Sequence, residues 1–484
     1  MNNVKKNFIY NTSYQLLTIL IPIVTTPYIT RTLGPEKSGD FSFANAITYY
    51  FIMFIMLGLN NYGNRTVAKV RDDKKNLSRN FFEIYGMQLV LGVFVTALYF
   101  MYCALFSNNI LSWIMMINVV SAIIDINWLY FGLEKFKLTV SRSILIKIIT
   151  TISVFVFVKK PDDVVIYALI LSIGTLASNI CLWYFLKREI SYTKVKIDDI
   201  FKHVKPNLVL FIPIVAISLY KYMDKIMLGI LSDKSNVGFY DYSEKILQIP
   251  MALVNSLATI MLPHMSNIVA NSNSKDEKKY IEISLEFSMF LTSSLCFGLM
   301  GISKEFVPFF YGDGYEACIN IFYILLPSCC FVAFASVIRT QYLIPHNKDS
   351  IYIISVCIGA LINISFNILF IPKFQALGAA IGTIFAEFSV CLYQSNKAKS
   401  DLEISKYIRN SIPFLLSGAI MFIVLLQLPF YKNDFITMMY KIVIGIIVYF
   451  AIFICVVKVF NKDKYQKYCS YIFSIKNSII KRKI

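Results

Sequence analysis

Residues 8–31 read FIYNTSYQLLTILIPIVTTPYITR and follow directly on Lys5 and Lys6. The stretch carries no charge before Arg31. Crossing the hydrocarbon core as a helix takes about 20 such residues. No small-residue cleavage site follows, so this reads as a retained first span and not a removed signal peptide. Comparable apolar runs recur at 39–62, 80–105, 109–131, 138–158, 163–186, 207–231 and 237–262. Six more lie at 280–302, 316–338, 349–371, 376–395, 409–430 and 436–460. The pattern predicts an all-α membrane protein with about fourteen transmembrane helices.

Composition agrees. Of 484 residues, 57% are hydrophobic and only 16% charged, against roughly a quarter charged in soluble domains. The net charge is +18. In a soluble chain that would suggest nucleic acid. Here nucleic acid is not expected as a partner, because cationic loops set membrane topology and face anionic lipid. The ten cysteines form no CxxC pair and lie mostly in apolar runs. They read as small buried residues.

The basic residues orient the chain. With the N-terminus inside, 34 of the 47 fall in inside segments and eight in outside ones, namely Arg31, Lys37, Lys159, Lys160, Lys234, Lys304, Lys373 and Lys432. Such an asymmetry fits the positive-inside rule and places both termini in the cytoplasm. The predicted location is the cell (inner) membrane, multi-pass. No outer loop is long enough to fold as a soluble domain. The tail after Phe460 is basic with aromatics (Tyr465, Tyr468, Tyr471, Phe473) and suits either a surface helix or a solvated end.

An internal repeat divides the chain. Ile21-Pro22-Ile23-Val24 returns as Ile212-Pro213-Ile214-Val215, and Leu33 with Gly39 as Leu231 with Gly238. The expected organisation is two pseudo-symmetric six-helix lobes, 1–188 and 207–396, joined by a basic connector at 189–206. Two C-terminal helices occupy 397–460, and a basic tail 461–484. Parallel repeats of this kind are a transporter design, with substrate between lobes and alternating access by rocking. Pro22, Pro27, Pro213 and Pro250 interrupt spans and permit bends.

Residues 341–387 carry a resemblance. They contain Gln341-Tyr-Leu-Ile-Pro345, Asn363, Asn367, Ile371-Pro372-Lys373, Leu377-Gly378-Ala379-Ala380-Ile381-Gly382-Thr383 and Ala386-Glu387. The opening adds Arg31-Thr-Leu-Gly34-Pro with Gly39 and Phe41, and the eighth span adds Val237-Gly238-Phe-Tyr240. Together, in this order, they resemble the bacterial polysaccharide (O-antigen and capsule repeat-unit) flippases of the multidrug/oligosaccharidyl-lipid/polysaccharide exporter superfamily. The resemblance implies movement of an undecaprenyl-pyrophosphate-linked oligosaccharide from the cytoplasmic to the outer leaflet. It also implies membrane lipids, the polysaccharide polymerase and the assembly machinery as partners. A cation-coupled small-molecule (drug) exporter of the same fold is the alternative.

Moving such a substrate requires a polar, partly cationic path, since burying unpaired charge is costly. Lys221, Asp224 and Lys225 lie at i, i+3 and i+4 on the seventh span, and Glu244 and Lys245 lie at similar depth on the eighth. Ionisable residues at such depth face the bundle interior or water. Lys221, Lys225 and Lys245 are expected to bind pyrophosphate as point charges, with Asp224 and Glu244 orienting them or binding a coupling cation. A structural ion-pair network is the other reading. Arg31 suits phosphate or snorkels to the interface. Lys147 and Asp125 either line the N-lobe path or pair with each other. Glu387 is a coupling candidate or packs among small residues. Tyr220, Tyr222, Tyr240 and Tyr242 flank the cluster as sugar-stacking or interfacial aromatics.

The three histidines, His203, His264 and His346, have no metal spacing, and there is no phosphate-binding loop. No enzyme activity, metal or cofactor is therefore expected. Coupling to an H+ or Na+ gradient or to the membrane potential would supply the energy. A polymerase would be expected to carry a large outer loop, and an acyltransferase an intramembrane histidine.

Overall fold

The computed structural model describes residues 2–271, 274–431, 433–460 and 466, with backbone alone for residues 2–16, 19, 220, 274 and 460. Among the described residues every regular element is helical. Thirteen stretches among the described residues are long and apolar enough to cross a membrane. The first, Leu20–Val70, has 51 residues. A straight helix of that length would measure ~76 Å, more than twice the hydrocarbon thickness. It breaks at Gly34, whose φ of 74° and ψ of 173° lie outside any helix. Thirteen stretches thus accommodate the fourteen expected crossings. Apart from Gln466, the basic tail and its aromatics lie outside the described residues.

The chain packs as two compact units. One runs to Asp241 and takes in Ile371–Ala376; the other holds Tyr242–Phe370 and the chain from Leu377. The division falls within the eighth-span helix, Lys234–Ala270. The basic connector at 189–206 belongs to the first unit.

In the first unit, local chemistry sets where helices start. The Asp73 carboxylate accepts from the backbone N–H groups of Lys75 (2.9 Å) and Asn76 (3.1 Å), opening the third span, Lys74–Phe106. The Asn109 side chain does the same for Leu111 at the start of the fourth. That fourth span is broken. It runs Ile110–Ile123 and resumes as Asn127–Gly132. Backbone freed at membrane depth needs partners inside the protein. Gln88, fully buried on the third span, donates to the carbonyls of Ala122 (2.8 Å) and Asp125 (2.9 Å). Its own oxygen accepts from the Trp128 indole at 3.1 Å. Trp183 donates to the Ile124 carbonyl at 2.9 Å. One break is therefore closed by residues from two other spans.

Two glycines permit a close crossing in the same unit. A Cβ on Gly39 would lie 1.8 Å from the Lys234 carbonyl oxygen, and one on Gly238 2.5 Å from that of Pro35. These are the glycines matched by the internal repeat, and each is the other's neighbour.

In the second unit the thirteenth span, Ile404–Gln427, lies along the ninth, Ser274–Gly301. Gly418 meets Phe297, and Gly301 meets Leu425, at distances that leave no room for a Cβ. The short helix Ser303–Tyr311 is tied to the fourteenth span, Asp434–Phe460, by a buried ion pair, with Lys441 Nζ donating to Glu305 Oε1 at 2.7 Å. The tenth span divides at Pro327 and ends in a π-helical turn, Arg339–Leu343. Gln341 sits in that turn, fully buried, with neither amide atom hydrogen-bonded.

Gln88→Leu should lower the thermal unfolding midpoint in detergent, because each carbonyl left bare costs about 1–3 kcal/mol. An unchanged midpoint would show that the break is closed without Gln88. Gly39→Ala should cost a further 1–3 kcal/mol, roughly, since its neighbour is backbone and cannot swing aside. Fluorescence-detected size exclusion after heating reads both.

Candidate functional site

The candidate cluster is built on a helical hairpin. The seventh span, Val204–Leu231, ends at Ser232, and the eighth begins at Lys234. Counting outward from this turn, Asp224 and Lys225 come level with Tyr240 and Asp241. The Tyr240 hydroxyl donates to Asp224 Oδ2 at 2.5 Å. Lys225 Nζ pairs with Asp241 Oδ1 at 2.5 Å, and Ser42 Oγ donates to Asp241 Oδ2 at 2.9 Å. Asp224, Lys225 and Asp241 are all buried. Buried charges survive at this depth only when paired and hydrogen-bonded.

Lys221 is different. It is exposed, with Nζ 5.7 Å from the centre of the Tyr222 ring. Lys225 Nζ lies 5.6 Å from the same ring. Tyr222 stacks on Tyr49 at 3.8 Å with 16° between planes, and the Tyr50 hydroxyl donates to the Ser218 carbonyl at 3.0 Å. The first unit thus presents one accessible ammonium, a buried ion pair and stacked tyrosines on adjoining turns. The Tyr220 side chain lies outside the described residues.

Glu244 and Lys245 belong to the second unit and are half-buried. Lys245 Nζ sits 4.3 Å over the Tyr242 ring, and the Tyr242 carbonyl accepts from the Tyr311 hydroxyl at 2.8 Å. Glu387 is buried mid-span in the twelfth helix, Ala376–Ala398. One turn on, Phe388 and Leu392 face an apolar groove with Phe331 and Phe334 of the tenth span and Leu415 of the thirteenth.

The remaining candidates lie elsewhere in the first unit. Asp125 Oδ1 accepts from the backbone N–H (2.9 Å) and side-chain amide (2.6 Å) of Asn127, the first residue of the second half of the broken fourth span. Arg142 reaches Asn127 Oδ1 at 3.0 Å and is the cation beside this break. Lys147 is half-buried on the fifth span, Phe136–Phe157. Arg31 is exposed and lines a pocket with Tyr28, Lys159 and Lys160.

Sequence reasoning missed three groups. Asp241 was legible by counting outward from the hairpin turn. Lys159 and Lys160 entered only as loop charges. The third is a network in the connector, where His203 joins Tyr62 Oη (2.6 Å) to Glu83 (2.9 Å). Glu83 pairs with Arg79 (2.7 Å), Arg79 with Asp199 (3.3 Å), and Asp199 with Lys202. No spacing rule links residues 62, 83 and 203. Outside the spans, Lys348 and Tyr342 hold the Asp401 carboxyl well below the usual carboxylate range. Among the described residues no group of His, Cys, Asp or Glu could hold a metal ion.

Stacked membrane-length helices, a broken span closed from within, and charges paired at depth define a polytopic helical membrane protein. A family model described as polysaccharide biosynthesis protein matches residues 4–269, more than half of the chain, and the chain belongs to that family. It is 26% identical over 406 residues to the "Putative O-antigen transporter" of Escherichia coli (strain K12), covering 81% of this chain and 95% of that one. A protein of the same name from Shigella dysenteriae is 22% identical over 385 residues, covering 78% and 96%. The fold is similar to that of the lipid II flippase MurJ in an inward closed conformation (TM-score 0.74, 17% identity, 93% of this chain and 99% of that one). It is also similar to an inward-facing multidrug resistance MATE family transporter of the MOP superfamily (TM-score 0.55, 13% identity, 84% and 94%). These findings agree with the resemblance carried by residues 341–387.

The Lys225–Asp241 pair is open to a double-mutant cycle. Lys225→Met or Asp241→Leu alone leaves one buried charge and should each cost about 3–5 kcal/mol. The double variant should recover most of that loss in thermal unfolding. Additive losses would show that the two side chains are not coupled.

Proposed function

We propose that this polysaccharide-biosynthesis transporter of the flippase type carries undecaprenyl-pyrophosphate-linked oligosaccharide repeat units, of O-antigen or capsule, from the cytoplasmic to the outer leaflet by alternating access. The family match over residues 4–269 carries the reading. The chemistry of the chain supports it. Pyrophosphate and sugars need a hydrated, cationic path, while a polyprenyl tail needs an apolar one. Lys221 offers an accessible ammonium, and the Tyr49–Tyr222 stack offers an aromatic face of the kind sugars bind. The groove bordered by Phe331, Phe388 and Leu415 is lined almost wholly by apolar side chains and suits a hydrocarbon chain.

The proposed roles follow accessibility. Lys221 meets the pyrophosphate. Lys225, neutralised by Asp241, positions the hairpin that presents Lys221. Lys147 and Lys245 add positive charge along the path. Asp224, Glu244, Asp125 and Glu387 are the carboxyls through which an H+ or Na+ gradient would couple, and the membrane potential would act on the cations. No cofactor is invoked. The partners proposed are the lipid-linked saccharide, membrane lipids, and the polymerase and assembly machinery that consume the product.

Deleting the gene and labelling lipid-linked saccharide selectively by leaflet tests the reading. Accumulation in the inner leaflet is expected. Normal surface polysaccharide together with raised drug sensitivity would point to a small-molecule exporter instead. Restoring the gene with Lys221→Gln should lower export roughly tenfold at equal protein level, as expected for one lost charged contact.

A further inference from the structure

Three cations converge at the end of the first unit that loop charges place outside. Arg31 closes the first span, and Lys159 and Lys160 follow the fifth. They come from segments 128 residues apart, yet line one open pocket with Tyr28, Thr32 and Pro161. The convergence runs against the charge pattern of the chain, since only eight of its 47 basic residues fall in outer segments. Scattered topology signals would not collect three of those eight in one pocket.

The pocket is also held in shape. The Asp163 carboxylate accepts from the backbone N–H groups of Lys159 (2.8 Å) and Lys160 (3.0 Å). Both bonds use Oδ2, and the same carboxylate stands close enough to Lys160 to feel its charge. The Tyr28 hydroxyl donates to the Val158 carbonyl at 2.5 Å, and its ring lies 4.6 Å from that of Phe155. Lys159 Nζ stands 5.7 Å over the Tyr28 ring. The first span and the loop are thereby held together, and the Lys159 ammonium also donates to the Phe155 carbonyl at the end of the fifth span. Its volume is about 640 Å³, within the range of small-molecule sites.

We infer that Arg31, Lys159 and Lys160 form a binding site for a phosphate-ester headgroup at the outer membrane interface. A guanidinium takes two phosphate oxygens in a fork. Two ammonium groups supply further charge, and Tyr28 forms an amphipathic wall at headgroup depth. The phosphate belongs either to an anionic phospholipid of the bilayer or to the head of the translocated lipid. The chemistry is the same for both, and the site does not depend on which saccharide is carried.

The test uses the full-length protein in detergent, titrated with phosphatidylglycerol or phosphatidylcholine and read by native mass spectrometry. Wild type should retain phosphatidylglycerol preferentially. The triple variant Arg31→Gln/Lys159→Gln/Lys160→Gln should retain it roughly tenfold more weakly, the sum of three exposed charged contacts. The variant's thermal midpoint should fall only slightly, by what the exposed Lys159 contacts with the Tyr28 ring and the Phe155 carbonyl contribute. Arg31→Lys, which keeps the charge, should recover part of the retention. A second arm measures export of lipid-linked saccharide. Lost phosphatidylglycerol retention with normal export assigns the site to bilayer lipid. Weak retention by wild type, with export lowered in the triple variant at equal protein level, assigns it to the transported headgroup. Equal retention of the two lipids by wild type with unchanged export overturns the proposal.

Discussion

Hydrocarbon offers no hydrogen bonds, so every polar group at membrane depth must find its partner within the protein. The rest of this structure depends on that constraint. It makes the regular elements helical, and it governs each place where a helix fails. The fourth span breaks at Ile124–Ile126, and Gln88 and Trp183 reach across to cover the exposed carbonyls. Asp125, at the break, takes up the first backbone N–H of the helix that resumes.

The same constraint shapes the charges. Lys225 with Asp241, and Lys441 with Glu305, are carried into the bilayer region as pairs. Each pair joins two elements that the chain could otherwise arrange differently. Other charges remain accessible. On the seventh span Lys221 stays exposed, one turn from the buried Lys225–Asp241 pair.

Close helix approach supplies the second organising element. At Gly39 and Gly238 the backbones touch where no side chain fits. At Gly418 and Gly301 side chains, Phe297 and Leu425, fill the space a Cβ would need, so the thirteenth span lies against the ninth. The internal repeat read as Leu33/Gly39 and Leu231/Gly238 gains a physical meaning from this. Equivalent glycines of the two repeats meet in one crossing.

Much of this was legible in the sequence, because hydrophobic run length and loop charge act locally. Apolar runs of about 20 residues announce spans without reference to anything else. Motif order at 341–387 announced the family. Pairing is another matter. Lys225 finds Asp241 across a hairpin, Asp125 finds Asn127 at a break, and His203 finds Glu83 from a connector 120 residues away. The first could be counted from the turn; the others depend on where a helix breaks and how a connector folds back. Arg31, Lys159 and Lys160 looked like separate loop charges until the chain brought them to one pocket. Sequence alone determined the class of solvent, the approximate number of crossings and the family, since each residue contributes to these by itself. Only the tertiary structure decided which charges are paired and which stay accessible, because a charge's partner is set by distance in space and not by position along the chain.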